Sequence, residues 1–114
     1  MNISSYNYVE LSMTQALPTI NSEKLEKVAF ILKTIAHPLR IAIVDLLSKR
    51  EKMIVNELTE ALGSEQSLVS HHLTNMKLKG ILSSERDGKK VYYQLKMKEV
   101  TGVLDCMDKC QAVL

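Results

Sequence analysis

Residues 55–95 read VNELTEALGSEQSLVSHHLTNMKLKGILSSERDGKKVYYQL, and this stretch decides the fold. Val55 to Leu62 is long enough for a short helix with Leu58, Ala61 and Leu62 inward, and Gly63 follows where a left-handed residue would close it. A second helix begins at Glu65 or Gln66, carries Val69, Leu73 and Met76 inward at spacings of three to four, and stops at Gly80. Two helices joined by a three-residue turn containing Gly form a helix-turn-helix. The period then changes. Ile81 to Arg86 and Lys89 to Leu95 flank Asp87-Gly88, a hairpin signal because both turn residues would take positive φ. In the second arm Val91, Tyr93 and Leu95 alternate with Tyr92 and Gln94, which predicts one buried face.

Upstream, Leu25, Val28, Ala29, Leu32 and Ile35 recur at helical spacing behind a start at Ser22-Glu23. Pro38 suits the first turn of the next helix, whose missing N–H is unneeded there, and Leu39, Ile43, Leu46 and Leu47 form its apolar face. The segment Lys49 to Lys52 reads as a charged loop. Downstream, a last helix from about Lys98 to Val113 places Val100, Val103, Leu104 and Met107 on one side. The expected fold is mainly α with a small β-hairpin, a winged helix-turn-helix in the order four helices, hairpin, helix. Residues 1–20 show little periodicity and read as an N-terminal arm, with a short helix around Val9 to Ala16. Residues 21–114 are expected to form a single winged helix-turn-helix domain.

Composition narrows the function. At 114 residues the chain has room for one core. Aromatics are 4% and Trp is absent, so that core is aliphatic, which suits packed helices. No apolar run nears the roughly 20 residues of a membrane span and no signal-peptide pattern opens the chain, so the expectation is a cytoplasmic protein. The net charge of +2 is modest, but between Glu65 and Leu95 five cations (Lys77, Lys79, Arg86, Lys89, Lys90) face three anions (Glu65, Glu85, Asp87). That local excess suits a polyanion. No nucleophile with a base, paired acid or Gly-rich phosphate loop stands in a catalytic arrangement, so an enzyme is not expected.

The second helix of a helix-turn-helix can lie in the major groove. Gln66, Ser67, Ser70, His71 and Thr74 project away from its apolar residues, and all can exchange hydrogen bonds with base edges or phosphates. Solvent-facing helices are usually covered with Glu, Lys and Arg, whereas this face is short, polar and uncharged. Arg86, Lys89 and Lys90 surround the hairpin tip, where a basic wing would reach phosphates or the minor groove. A winged helix serving only protein–protein contacts is the alternative, since fold does not fix function.

The stretch quoted above resembles the ArsR/SmtB family pattern: an E-L helix, a Gly turn, a Q-S-x-V-S-x-H-L recognition helix, and an R-x-G-(K/R)-x-x-x-Y wing. ILKTIAHPLRIAIVDLL, Ile31 to Leu47, is similar to that family's upstream signature, so the resemblance covers well over half of the chain. It implies a homodimer joined by the first and last helices, reading a pseudo-palindromic operator in double-stranded DNA and repressing until an inducer releases it. Glu65 stands where the family often has a capping Ser, and Thr59 where helix-turn-helix proteins commonly have Ala.

His71 and His72 cannot share a metal, because adjacent helical residues point about 100° apart. His72 matches the family's recurrent His and belongs against the scaffold, His71 is the exposed one, and His37 before Pro38 reads as a helix start. The family's third-helix Cys-x-Cys is absent, and no His follows His72 to supply a last-helix zinc set. No cofactor is required by these residues. Cys106 and Cys110 lie four apart on one helical side, and two readings stay open: small apolar packing residues, or a thiol pair for a soft metal ion or a redox effector.

Overall fold

In the computed structural model, residues 21–109 are described. The arm over residues 1–20, its short helix, and Cys110 lie outside them. Helix α1, Ser22–Thr34, starts at Ser22, within the expected Ser22-Glu23, and the Asn21 side chain caps it by accepting the Lys24 N–H at 2.8 Å. Helix α2, Pro38–Arg50, has Pro in its first turn and His37 as N-cap, whose Nδ1 accepts the Leu39 N–H at 3.1 Å. A short strand β1, Lys52–Ile54, leads into α3, Val55–Leu62, where the Glu57 carboxylate accepts the Ile54 N–H at 3.0 Å. Gly63 closes α3 at φ +63°, the left-handed conformation expected of it.

Helix α4, Gln66–Leu78, ends in a Schellman motif. The Gly80 N–H donates to Lys77 O and the Ile81 N–H to Met76 O, both at 3.0 Å, while Gly80 takes φ +80°. Strands β2, Leu82–Asp87, and β3, Lys90–Leu95, form the hairpin, and α5, Glu99–Lys109, closes the described chain.

Two expectations for the sheet need correction. The segment Lys49 to Lys52, read as a charged loop, instead ends α2 and begins β1, which pairs antiparallel with β3 (Met53 opposite Tyr93) and makes a three-stranded sheet in the order β1-β3-β2. Three residues are too few to show a period of two, so nothing in their pattern announces a strand. All of Val91 to Leu95 is half-buried, and of the two alternating sets Tyr93 and Leu95 pack against the core. The turn is also shifted by one: Asp87 pairs with Lys90, leaving Gly88 and Lys89 as the loop, with positive φ at Gly88 alone. Glycine at the first central position is the type II′ pattern rather than the Asp-Gly type I′ turn.

The core is one aliphatic cluster: Ile31 and Ile35 of the α1 end, Ile43, Val44 and Leu47, Met53, Leu58, Val69, Leu73 and Met76, Ile81 and Leu82, Val100 and Leu104. The expected α1 stripe is only partly covered within one chain. Of the predicted stripe only Ile35 is buried; Leu25 and Val28 are half-buried, and Ala29 and Leu32 are exposed. Only the last turn of α1 reaches the core, and the rest runs beside α5, where Lys27 Nζ meets a Glu99 carboxylate oxygen at 2.9 Å. Ala61 is likewise exposed, since so short a helix as α3 offers the core only Leu58 and part of Leu62.

Candidate nucleic-acid interface

The Gly63 turn sets α3 against α4, and burial of Val69, Leu73 and Met76 fixes which side of α4 faces out. Ser67, His71 and Thr74 are exposed at positions i, i+4 and i+7, so they form one outward stripe. Gln66 is exposed and Ser70 half-buried along one flank of that stripe. The stripe extends to a residue the sequence reading did not single out: Leu78, four beyond Thr74, is 82% exposed. Its spacing was the available signal. Leu68, 45% exposed, lies on the other flank among polar neighbours.

Glu65 takes the N-cap position of α4 with extended backbone, but its side chain makes no capping bond. Its carboxylate therefore contributes only favourable charge at the positive helix end. Thr59, at the α3–α4 crossing, has a buried Oγ1 without a partner, as does Asn75 Oδ1 on α4.

The hairpin carries Arg86, Lys89 and Lys90, all exposed, to its tip. The ion pairs formed among the described residues are Lys27–Glu99 and Lys49–Asp45, so neither neutralises the tip. Lower on the sheet, Lys52 Nζ lies 4.9 Å above the centre of the Tyr92 ring.

The two adjacent histidines of α4 separate as expected. His71 is exposed, while His72 is 5% exposed and its Nδ1 accepts a hydrogen bond from Arg40 Nε at 2.9 Å. Arg40 also donates from Nη1 to the Thr34 carbonyl at 2.9 Å. Burial first, then the charge of Arg40, then His37 and His71, hold His72 below the ordinary histidine range.

Among the described residues no group of three or more His, Cys, Asp and Glu side chains is placed to hold a metal. Cys106 is exposed on α5 and lines a groove with Val28 and Phe30 of α1 and Val103 of α5. None of the described helices is long and apolar enough to cross a membrane.

Comparison with known proteins agrees with this geometry. The family model described as "Bacterial regulatory protein, arsR family" matches residues 37–84, from the cap of α2 into the wing. The transcriptional repressor PagR of Bacillus anthracis is 37% identical over 87 residues, 76% of this chain and 87% of that protein. The regulator YgaV of Escherichia coli K12 is 33% identical over 79 residues, 69% of this chain and 80% of its own length. The crystal structure of PagR superposes with a TM-score of 0.68 at 36% identity, covering 76% of this chain and 99% of that one. That of the repressor BigR from Xylella fastidiosa gives 0.71 at 27% identity, covering 81% and 97%. These relatives are transcriptional regulators rather than enzymes. With the helix-turn-helix, the basic wing and these relatives in agreement, the chain belongs to the ArsR family of winged helix-turn-helix, DNA-binding transcriptional regulators.

Proposed function

We propose that this regulator is a homodimeric repressor that reads a pseudo-palindromic operator and is released by an inducer. Residues 21–114 act as the DNA-binding and dimerisation unit and residues 1–20 as an arm. On this reading α4 enters the major groove with Gln66, Ser67, Ser70, His71 and Thr74, while Arg86, Lys89 and Lys90 of the wing hold phosphates or the adjoining minor groove. The observation that carries it is the division of chemistry between the two elements. The outward stripe of α4 has hydrogen-bonding groups without formal charge, suited to base edges, and the hairpin tip has cations left out of the observed ion pairs.

Dimerisation is supported by α1 and α5, where Phe30, 40% exposed, lines a groove that this small domain leaves open. A two-fold dimer would present two copies of α4 to two half-sites. Its site of action on this reading is the cytoplasm, where the DNA lies. The alternative, a module for protein contacts alone, leaves the uncharged α4 stripe and basic wing unexplained, and the relatives named above are all transcriptional regulators.

Selecting fragments from a random DNA library with the purified protein, sequencing them and footprinting the product tests the proposal. The expected result is an inverted repeat with half-site centres about one helical turn apart. Enrichment of a single unrepeated site would refute the dimeric reading, and no enrichment would refute operator recognition itself.

A further inference from the structure

One guanidinium joins three helices. Arg40 of α2 donates to the carbonyl of Thr34, the last residue of α1, and to His72 Nδ1 on α4, each at 2.9 Å. Arginine has no acceptor and does not give up its proton, so Nδ1 of His72 must be the bare nitrogen of a neutral ring, with the proton on Nε2. That Nε2 is buried without a partner. The ring of His37 lies 4.5 Å away, centre to centre, and that of His71 is edge-on at 5.5 Å. The charged and titratable groups around His72 are thus Arg40 and His37, from α2 and its cap, and His71 on its own helix. Neither ion pair among the described residues brings a carboxylate to them. A second proton on His72 would abolish the acceptor and set two cations at hydrogen-bond distance in a buried place.

We propose that the Arg40–His72 hydrogen bond is a proton-sensitive clasp that positions α4 for DNA, closed while the imidazole is neutral and opened when it is protonated. The proposal rests on the reading of α4 as the DNA-contacting helix, and makes His72 a positioning residue that need not touch DNA. The same guanidinium ties the end of α1, so the clasp also links the helix of the open α1–α5 groove to the recognition helix. One coupled proton can change affinity by at most about tenfold per pH unit. The sign is fixed: the DNA-bound form needs neutral His72, so affinity falls as pH drops through its titration.

The test is operator affinity at constant ionic strength between about pH 7.5 and about pH 5.5, for wild type, His72→Asn and His37→Asn. Asn offers Arg40 a carbonyl acceptor that does not titrate, and at position 37 it is a favoured N-cap. Expected is a fall of severalfold on acidification in wild type and His37→Asn, bounded at about tenfold because His72 is held below the ordinary histidine value, and no fall in His72→Asn whatever its absolute affinity. An equal fall in wild type and His72→Asn, or none in wild type, overturns the clasp. Wild-type NMR without DNA gives an independent reading. The amide signals of Thr34 and of α4 should shift with the same midpoint as the His72 ring, and amides that do not follow it overturn the proposal. A failure to find any operator would count against the DNA reading and leave the clasp to be judged by the NMR titration.

Discussion

The sharpest division of labour at the residue scale is between neighbours, His71 and His72. A rotation of about 100° per residue sends one ring outward and the other into the scaffold, and that much was legible from spacing alone. The partner of His72 was not, because Arg40 lies thirty-two positions away and only the packing of α2 on α4 brings them together. Replacing Ser70 or His71 with Ala should weaken binding of the selected operator by roughly 1–3 kcal/mol each if they contact bases. Lys89→Ala and Lys90→Ala should weaken all duplexes alike and flatten the salt slope by about one each. Anisotropy titrations against operator and unrelated duplex separate the two classes. Stability should follow pH through His72. Its folded-state value is lowered by burial and by Arg40, so its contribution is fully present above the ordinary value of about 6.5 and is lost as pH falls from there toward the folded value. Thermal melts of wild type and His72→Asn over that window would show the difference as a steeper acid loss in wild type.

At the element scale, helices were legible where Gly and Pro punctuate an apolar period, as in α2, α3 and α4. Strand β1 was not, because its partner is supplied from forty residues downstream and its one buried side chain, Met53, has no neighbours to alternate with. Met53→Ala should therefore cost about 2–5 kcal/mol, the range for a core residue, rather than the few tenths of a loop position. Gly80→Ala should cost about 1 kcal/mol: there is open space for the new Cβ, and the penalty comes from φ +80° alone. Chemical denaturation measures both. On α1 the core takes Ile31 and Ile35 and leaves Leu32 exposed, and because all three are apolar, periodicity could not tell the side that meets the core from the side left uncovered within one chain.

For the whole molecule, the proposed reading has the open α1–α5 side take a second copy, a contact that would set the spacing of two recognition helices. Phe30→Glu should turn a dimer into a monomer by placing a charge in the shared face, as read by light scattering at tens of micromolar, with the helical content unchanged. The central claim is that α4 and the wing bind DNA with sequence preference, and titration of the full chain with the selected operator and a scrambled duplex over a range of salt concentrations tests it most directly. The account predicts a preference for operator of about 10³-fold or more, and affinities for both duplexes that decline linearly and steeply against salt on logarithmic axes. Equal affinity for the two duplexes, or an affinity indifferent to salt, would contradict it.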